Sequence, residues 1–318
     1  MFPVSISVVM PTYNTEIPML KEAVESIMNQ TFRDFEFIII DDCSTNDFPE
    51  YLKSLQDDRI RIIWNPVHIG ITKTLNVGLE AARGKYIARM DADDISLPER
   101  LEKQYAYMES HPDVILSGTD FQMFGDQQRV SHVNINDLDV YRIKLIFGNP
   151  GPSHPTIIMN HSIMDQFHLR YNENLTYCQD YGLFTSVIQH GRIANLNEIL
   201  VMQRSHKKQI STAKRTIQIQ CDKVIQKQLL SELIENVSEA ELDCHYRWAY
   251  EKKKESFPDA VNCLRWYLRL IRANMQKGKY NKPKFIRFVI RNYFQLLLPE
   301  AMVSKVYSAV QWVKPKHN

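Results

Sequence analysis

The sequence predicts an α/β fold: an open, mostly parallel sheet flanked by helices, followed by a C-terminal helical appendage. Three observations carry this. Over the first 120 residues, short β-branched apolar runs alternate with helical stretches, the pattern of βαβ units buried on both faces of a sheet. Successive runs end in polar loops, where ligands bind in open α/β sheets. After about residue 212 the alternation stops and only helical periodicity remains.

Residues 4–10 are apolar and β-branched and run into Pro11-Thr12-Tyr13-Asn14, which does not continue a central strand. Residues 19–29 set Leu20, Ala23, Val24, Ile27 and Met28 on one helical stripe. Residues 35–40 form a second strand ending at Asp41-Asp42-Cys43-Ser44. A short helix over 48–55 and a strand over 60–64 follow. Residues 72–83 read as a helix stopped by Gly84. Residues 85–90 are the next strand, 98–110 a helix, and 114–119 a further strand.

Composition bounds the function. The 318 residues are 44% hydrophobic, enough for a sizeable core, and a formal charge of +2 excludes a general nucleic-acid binder. The charge is uneven: residues 276–318 hold nine Lys or Arg against one acid, Glu300. Five scattered cysteines, none in C-x-x-C spacing, read as reduced thiols of a cytoplasmic protein. No cleavable signal pattern and no apolar run long enough for a membrane span is expected.

The run Arg89-Met90-Asp91-Ala92-Asp93-Asp94 carries the chemistry. Carboxylates this close repel unless a cation or a hydrogen-bonded ligand sits among them. At a strand's carboxyl end, Asp-x-Asp suits a hard divalent ion, Mn or Mg, that keeps phosphate oxygens in its shell. The competing reading is a solvated turn capping the next helix. With the loops at 11–14 and 41–44, three successive strands end in polar groups that suit a nucleotide. There is no G-x-G-x-x-G and no P-loop pattern. A diphosphate here therefore needs a metal, while Asp42 can accept a base N–H and Tyr13 can pack on the base.

Taken together, residues 6–14 (ISVVMPTYN), 24–36 (VESIMNQTFRDFE), 39–44 (IIDDCS), 70–79 (GITKTLNVGL) and 88–94 (ARMDADD) resemble family-2 glycosyltransferases of the bacterial capsule, lipopolysaccharide and exopolysaccharide type. The resemblance runs from about residue 5 to about 212. It implies a Rossmann-like GT-A catalytic domain over 1–212, divided at 120 into nucleotide-sugar and acceptor halves, with a helical region over 213–318. It also implies a nucleotide-diphospho-sugar donor, most simply UDP-linked, a Mn or Mg ion, and inversion at the anomeric carbon. Carried over by position, Pro11, Tyr13, Asn14 and Asp42 meet the nucleoside. Asp91 leans toward the ribose beside Ala92, and Asp93 toward the metal. Because Asp94 follows at once, which two of the three hold the ion stays open. The surface glycan or lipid-linked oligosaccharide that accepts the sugar would be met at the inner face of the cell membrane.

An inverting displacement needs a carboxylate to take the acceptor proton. The family's acidic pair aligns with Gln179-Asp180, so Asp180 remains as base although glutamine replaces the first acid. The alternative is that Asp180 caps a helix over 181–189. The rigid stretch 149–156 offers His154 as an acceptor contact or as a structural histidine, ahead of a strand over 157–159. Residues 204–211 (RSHKKQIS) resemble the family's R-x-H-x-x-Q-x-S ending. His206 there can meet metal or diphosphate, Lys207 or Lys208 can neutralise the leaving group, and Lys73 is a lesser diphosphate candidate.

Helices follow over 216–236, 238–254, 258–274 and 284–298. The last is basic and amphipathic, so residues 284–318 suit an anionic membrane surface or a core-facing helix with a solvated face. Other function classes fit less well. A sugar-nucleotide nucleotidyltransferase needs a glycine-rich basic loop where residues 11–14 stand. An inactive nucleotide- or glycan-binding module has no use for both the acidic triplet and Asp180. A receiver domain built on Asp41-Asp42 leaves the downstream motif unexplained.

Overall fold

β-Branched runs become strands and the amphipathic stretches between them become helices, in a computed structural model that describes residues 2–135, 137–206, 214–250 and 257–297 (side chains at 48, 248–250, 257 and 258 excepted). The elements are β1 (Val4–Thr12), α1 (Ile17–Met28), β2 (Phe35–Asp41), α2 (Phe48–Lys53), β3 (Ile60–Trp64), α3 (Ile71–Ala81), β4 (Gly84–Arg89), β5 (Ile95–Ser96), α4 (Arg100–Ser110), β6 (Val114–Gly125), β7 (Arg129–Ser131) and α5 (Leu138–Leu145). A 3-10 turn (His154–Thr156) then leads to β8 (Ile158–Asn160), α6 (His161–Gln166), α7 (Gln179–Val187) and β9 (Arg192–Ser205). The chain continues as α8 (Arg215–Leu233), α9 (Glu239–Tyr250), α10 (Phe257–Lys277) and α11 (Lys282–Leu297).

The chain divides into two compact units, residues 1–136 with 151–221 and residues 137–150 with 222–318. In the first, the described strands form one sheet in the order β3-β2-β1-β4-β8-β6-β9-β5, with β7 on β6. β3, β2, β1 and β4 are parallel neighbours, and β6 pairs β9 in parallel. β8 enters antiparallel between β4 and β6. All seven residues of β2 are buried, which is why residues 37–40 are apolar on both faces rather than alternating. Ile6, Val8 and Met10 of β1 pack with Leu20, Val24 and Ile27 of α1 in the core. Four parallel strands thus release their carboxyl ends along one edge, where ligands are expected.

Gly84 is not a helix stop. Ala82 leaves α3 in extended conformation, and Gly84 begins β4. A Cβ at position 84 would lie 2.4 Å from the Ser7 backbone nitrogen, so only glycine lets β4 approach β1 this closely. The 14-residue β9 and the short β5 and β7 are absent from the sequence expectation. Their polar residues interrupt a clean period of two.

The second unit is helical. Ile146 and Phe147 near α5 pack with Leu230, Trp266, Tyr267, Leu270, Phe285, Val289 and Leu296. Of the two readings of 284–298, the core-facing one describes Phe285, Val289 and Leu296 of α11, which close the unit's own core. Lys284 Nζ lies 2.8 Å from a carboxylate oxygen of each of Asp137 and Asp139. Residues 298–318 of the basic stretch lie outside the described residues. Among the described residues no helix is long and apolar enough to cross a membrane.

Candidate active site

The acidic loop forms where β4 ends. Met90 N–H still donates to the Val9 carbonyl at 3.0 Å, and a turn then gathers Asp91, Asp93 and Asp94. One carboxylate oxygen from each lies within 4.8 Å of the others. Asp94 is buried, and its Oδ2 has no hydrogen-bond partner among the described residues. Burial, reinforced by Asp91 and Asp93, holds the Asp94 carboxyl well above the usual range. Burial also raises Asp91, against the pull of Arg89. Converging hard oxygens with an orphaned buried atom fit Mg or Mn better than a solvated turn.

Two buried arginines keep this cluster from flying apart. Arg89 grips both oxygens of Asp91, one through Nη1 at 2.7 Å and the other through Nη2. Beneath it, the fully buried Arg100 donates to the Arg89 carbonyl at 2.7 Å and to Gln104 Oε1 at 2.9 Å. Burial pushes Arg100 down to about 9, so it stays charged at neutral pH. With both oxygens held by Arg89, Asp91 is the least free of the three for a cation, whereas Asp93 and Asp94 face no such clamp. The buried Ala92 separates Asp91 from that pair.

β9 closes the loop from the other side. Ile95 and Ser96 of β5 pair with Met202 and Val201. Arg204 then donates its backbone N–H to Asp94 Oδ1 and its Nε to the Asp93 carbonyl, both at 2.8 Å. Its guanidinium sits 4.4 Å over Phe124 and pairs with Glu22. His206 Nε2 stands 2.9 Å from Asp93 Oδ2, so the R-x-H ending does reach the acidic triplet. Lys207 and Lys208 lie outside the described residues.

Asp180 lies within the first turn of α7, whose N-cap is Cys178 without any side-chain cap bond, so Asp180 is not the cap. The helix N-terminus favours its carboxylate. Its charge is among those that raise Asp91 and Tyr171. Tyr171 Oη is 2.8 Å from His154 Nε2. Burial and the nearby Arg89 charge hold His154 well below the usual histidine range, so it is neutral. Cys178 forms a disulfide with Cys221, tying the start of α7 to the first turns of α8. This corrects the expectation of five reduced thiols. The partners are 43 residues apart, beyond any local spacing rule. Cys43, Cys244 and Cys263 are free.

The loops after β1 and β2 lock together. Asn14, at φ +50°, donates its backbone N–H to the Ser44 hydroxyl oxygen and accepts Thr45 N–H on Oδ1, each at 2.9 Å. Tyr13 is 46% exposed and stacks on His68 with centroids 4.0 Å apart, leaving its other face open to a planar ring. Pro11 is buried inside β1. Asp42 is already well used: Asn65 Nδ2 and Ile69 N–H bind Oδ1 at 2.9 Å, and Gly70 N–H and His68 Nδ1 bind Oδ2 at 2.8 Å. It accepts a base N–H only by sharing or releasing one of these. Lys73 is half-exposed and 4.0 Å from Glu173, not at the triplet's described contacts. Arg89, Arg100, Arg204, Tyr171 and His68 were not legible as site residues. Arg89 and Arg204 open motifs that were, and an arginine inside a strand-terminal acidic run was the available signal.

Comparison with known proteins gives the family and the fold. The model of glycosyl transferase family 2 matches residues 7–170. A curated glycosyltransferase of Haemophilus influenzae is 33% identical over 220 residues, covering 65% of this chain and 67% of its own. The amylovoran biosynthesis glycosyltransferase AmsE of Erwinia amylovora is 30% identical over 209 residues, 63% of this chain and 76% of its own. Among solved structures, S. aureus TarS 1–349 in complex with UDP-GlcNAc superposes with a TM-score of 0.63 at 17% identity, covering 98% of this chain and 93% of that one. The mannosyltransferase PcManGT of Pyrobaculum calidifontis, with GDP-Man and Mn2+, gives 0.56 at 15% identity over 100% and 91%. These structural likenesses fix the fold as GT-A. With its sequence matched over more than half its length, the chain belongs to glycosyl transferase family 2.

Proposed function

We propose that this glycosyltransferase is metal-dependent and inverting, moving a hexosyl or N-acetylhexosaminyl group from a nucleoside-diphosphate donor, a UDP-sugar, to a glycan or lipid-linked acceptor of a surface polysaccharide. One observation carries the reading: one carboxylate oxygen from each of Asp91, Asp93 and Asp94 lies within 4.8 Å of the others at the end of β4, with His206 Nε2 2.9 Å from Asp93. The relatives support it, since AmsE serves amylovoran biosynthesis and the structural neighbours hold UDP-GlcNAc or GDP-Man with Mn2+.

In this reading the open face of Tyr13 receives the base, and the loops at Asn14 and Asp42 line the nucleoside. Asp91, held by Arg89, meets the ribose. Asp93 and Asp94, with His206 beside Asp93, would hold a divalent ion, which when bound would supply positive charge to the diphosphate. Asp180 takes the acceptor hydroxyl proton as the new oxygen–C1 bond forms. The bond from C1 to the phosphate oxygen breaks on the opposite face, and its electron pair leaves with the diphosphate. His154 and Tyr171, neutral and hydrogen-bonded, flank the acceptor side without competing for the proton.

The test is a thermal-shift panel of UDP, GDP and their sugar conjugates with Mn, Mg or chelator, followed by diphosphate-release assays on the best donor. A melting-temperature rise with UDP that needs metal, and one UDP-sugar above the rest, is expected. Binding that persists in chelator removes metal dependence from the reading, and a GDP-sugar preference removes the UDP assignment.

A further inference from the structure

The outer face of the α10–α11 hairpin repeats one order of side chains on both helices. At about 100° per residue, passing round α10 from its buried face (Trp266, Leu270) leads to Tyr267, then to Leu264, Met275 and Leu268, then to Arg272 and Arg265. The same passage round α11, from Phe285 and Val289, leads to Tyr293, then Ile290, then Arg287. Tyr267 and Tyr293 meet edge to face with centroids 6.0 Å apart, marking the seam where the two helices join. An apolar strip therefore overlies the seam, with cations on both rims.

The strip is open: Leu264, Leu268, Met275 and Ile290 are 38%, 45%, 46% and 40% exposed. On these two helices neither rim carries an acid: Asp259, their one carboxylate, lies 3.7 Å from Arg247, and Glu241 of α9 reaches Arg269, not Arg265, Arg272 or Arg287. Arg265, Arg272 and Arg287 are exposed and face no described carboxylate. Charge decides among occupants. Residues 298–318 hold three lysines and one acid, the same sign as the rims. A second copy docked about a two-fold axis would set arginine against arginine. An apolar strip between basic rims is complementary to an anionic lipid surface, whose phosphates meet the rims while the strip enters the acyl boundary.

We propose that this face of the α10–α11 hairpin is a docking surface for an anionic bilayer. It gives the proposed lipid-linked acceptor a place to be met, and in that sense it rests on the reading above, but the binding itself requires no donor or turnover.

The test is sedimentation of the full chain, without nucleotide, with vesicles of phosphatidylcholine alone and of phosphatidylcholine with phosphatidylglycerol. Binding is expected only to the second, falling as salt rises. Leu268→Gln with Met275→Gln, and separately Arg265→Gln with Arg272→Gln, should each lower it by roughly tenfold. Both pairs are surface changes, checked by an unchanged melting temperature. Equal binding to both vesicles, or wild-type binding by either double variant, overturns the proposal. So does a concentration-dependent dimer in light scattering that the Leu268 and Met275 changes dissolve. A transferase that turns over free acceptor but ignores these vesicles leaves the active-site reading standing and sinks this one.

Discussion

His245 in the helical unit and Asp94 in the sheet unit are both buried and ionisable, but their surroundings treat them oppositely. His245 Nε2 meets the Ile146 carbonyl at 2.8 Å and its Nδ1 accepts from Trp266 Nε1 at 3.3 Å, while Phe147 stacks on the ring. Both nitrogens are used, so the imidazole is a finished part of the core. Asp94 has one oxygen on Arg204 N–H and the other without a partner, beside two more carboxylates. A satisfied buried polar group specifies packing; an unsatisfied one is a cost carried by the empty state and relieved by a ligand.

Three changes probe this contrast, beginning with the largest effect. Asp180→Asn should keep the metal-dependent shift with nucleotide yet lose about 10³-fold in turnover, the scale of a missing general base. Near-normal turnover in a quenched-flow or coupled assay would place the base elsewhere. The His245 effect concerns stability and pH. Burial lowers its pKa to about 4, against roughly 6.5 in the unfolded chain. The unfolded state therefore takes the proton first. The stabilisation is complete above pH 6.5 and is lost as pH falls toward 4, by about 3 kcal/mol. Urea unfolding of wild type and His245→Asn at both ends of that range should show the steeper pH dependence in wild type; parallel slopes would contradict the burial argument. Smallest is Asp94→Asn. It removes a charge that burial and two neighbours disfavour, so the metal-free protein should gain on the order of 1 kcal/mol at pH 7. The same variant should lose the metal-induced rise in melting temperature. A loss of stability in chelator would mean that Asp94 is a structural carboxylate.

The sheet half of the fold was legible because burial on both faces writes itself as apolar runs, as in 37–40. β9 was not, since its Asn195, Asn197, Glu198 and Arg204 dilute the run and its partner β6 lies some 80 residues earlier. Of the site, the carboxylates and His206 were legible because acids crowded at a strand end are chemically unusual. The residues that restrain them were not. Arg100 reads as an ordinary helix-start cation, and only the fold reveals that its side chain runs inward beneath Arg89. His68 likewise reads as a loop histidine until the β1 and β3 loops bring it onto Tyr13. The helical unit taught the reverse lesson. An amphipathic pattern in α11 gives the direction of the apolar face but not what covers it, and here the cover is the unit's own core.

The clasp between Arg204 and the acidic loop joins residues 110 positions apart. On a nascent chain, residues 91–94 leave the ribosome long before β9 exists, and at roughly 5–20 residues per second several seconds separate the two. Throughout that interval three crowded carboxylates sit on an unfinished sheet with neither Arg204 nor His206 to hold them. The acidic loop is thus completed late in the order of synthesis, and its carboxylates gain their last restraints only when β9 closes the sheet.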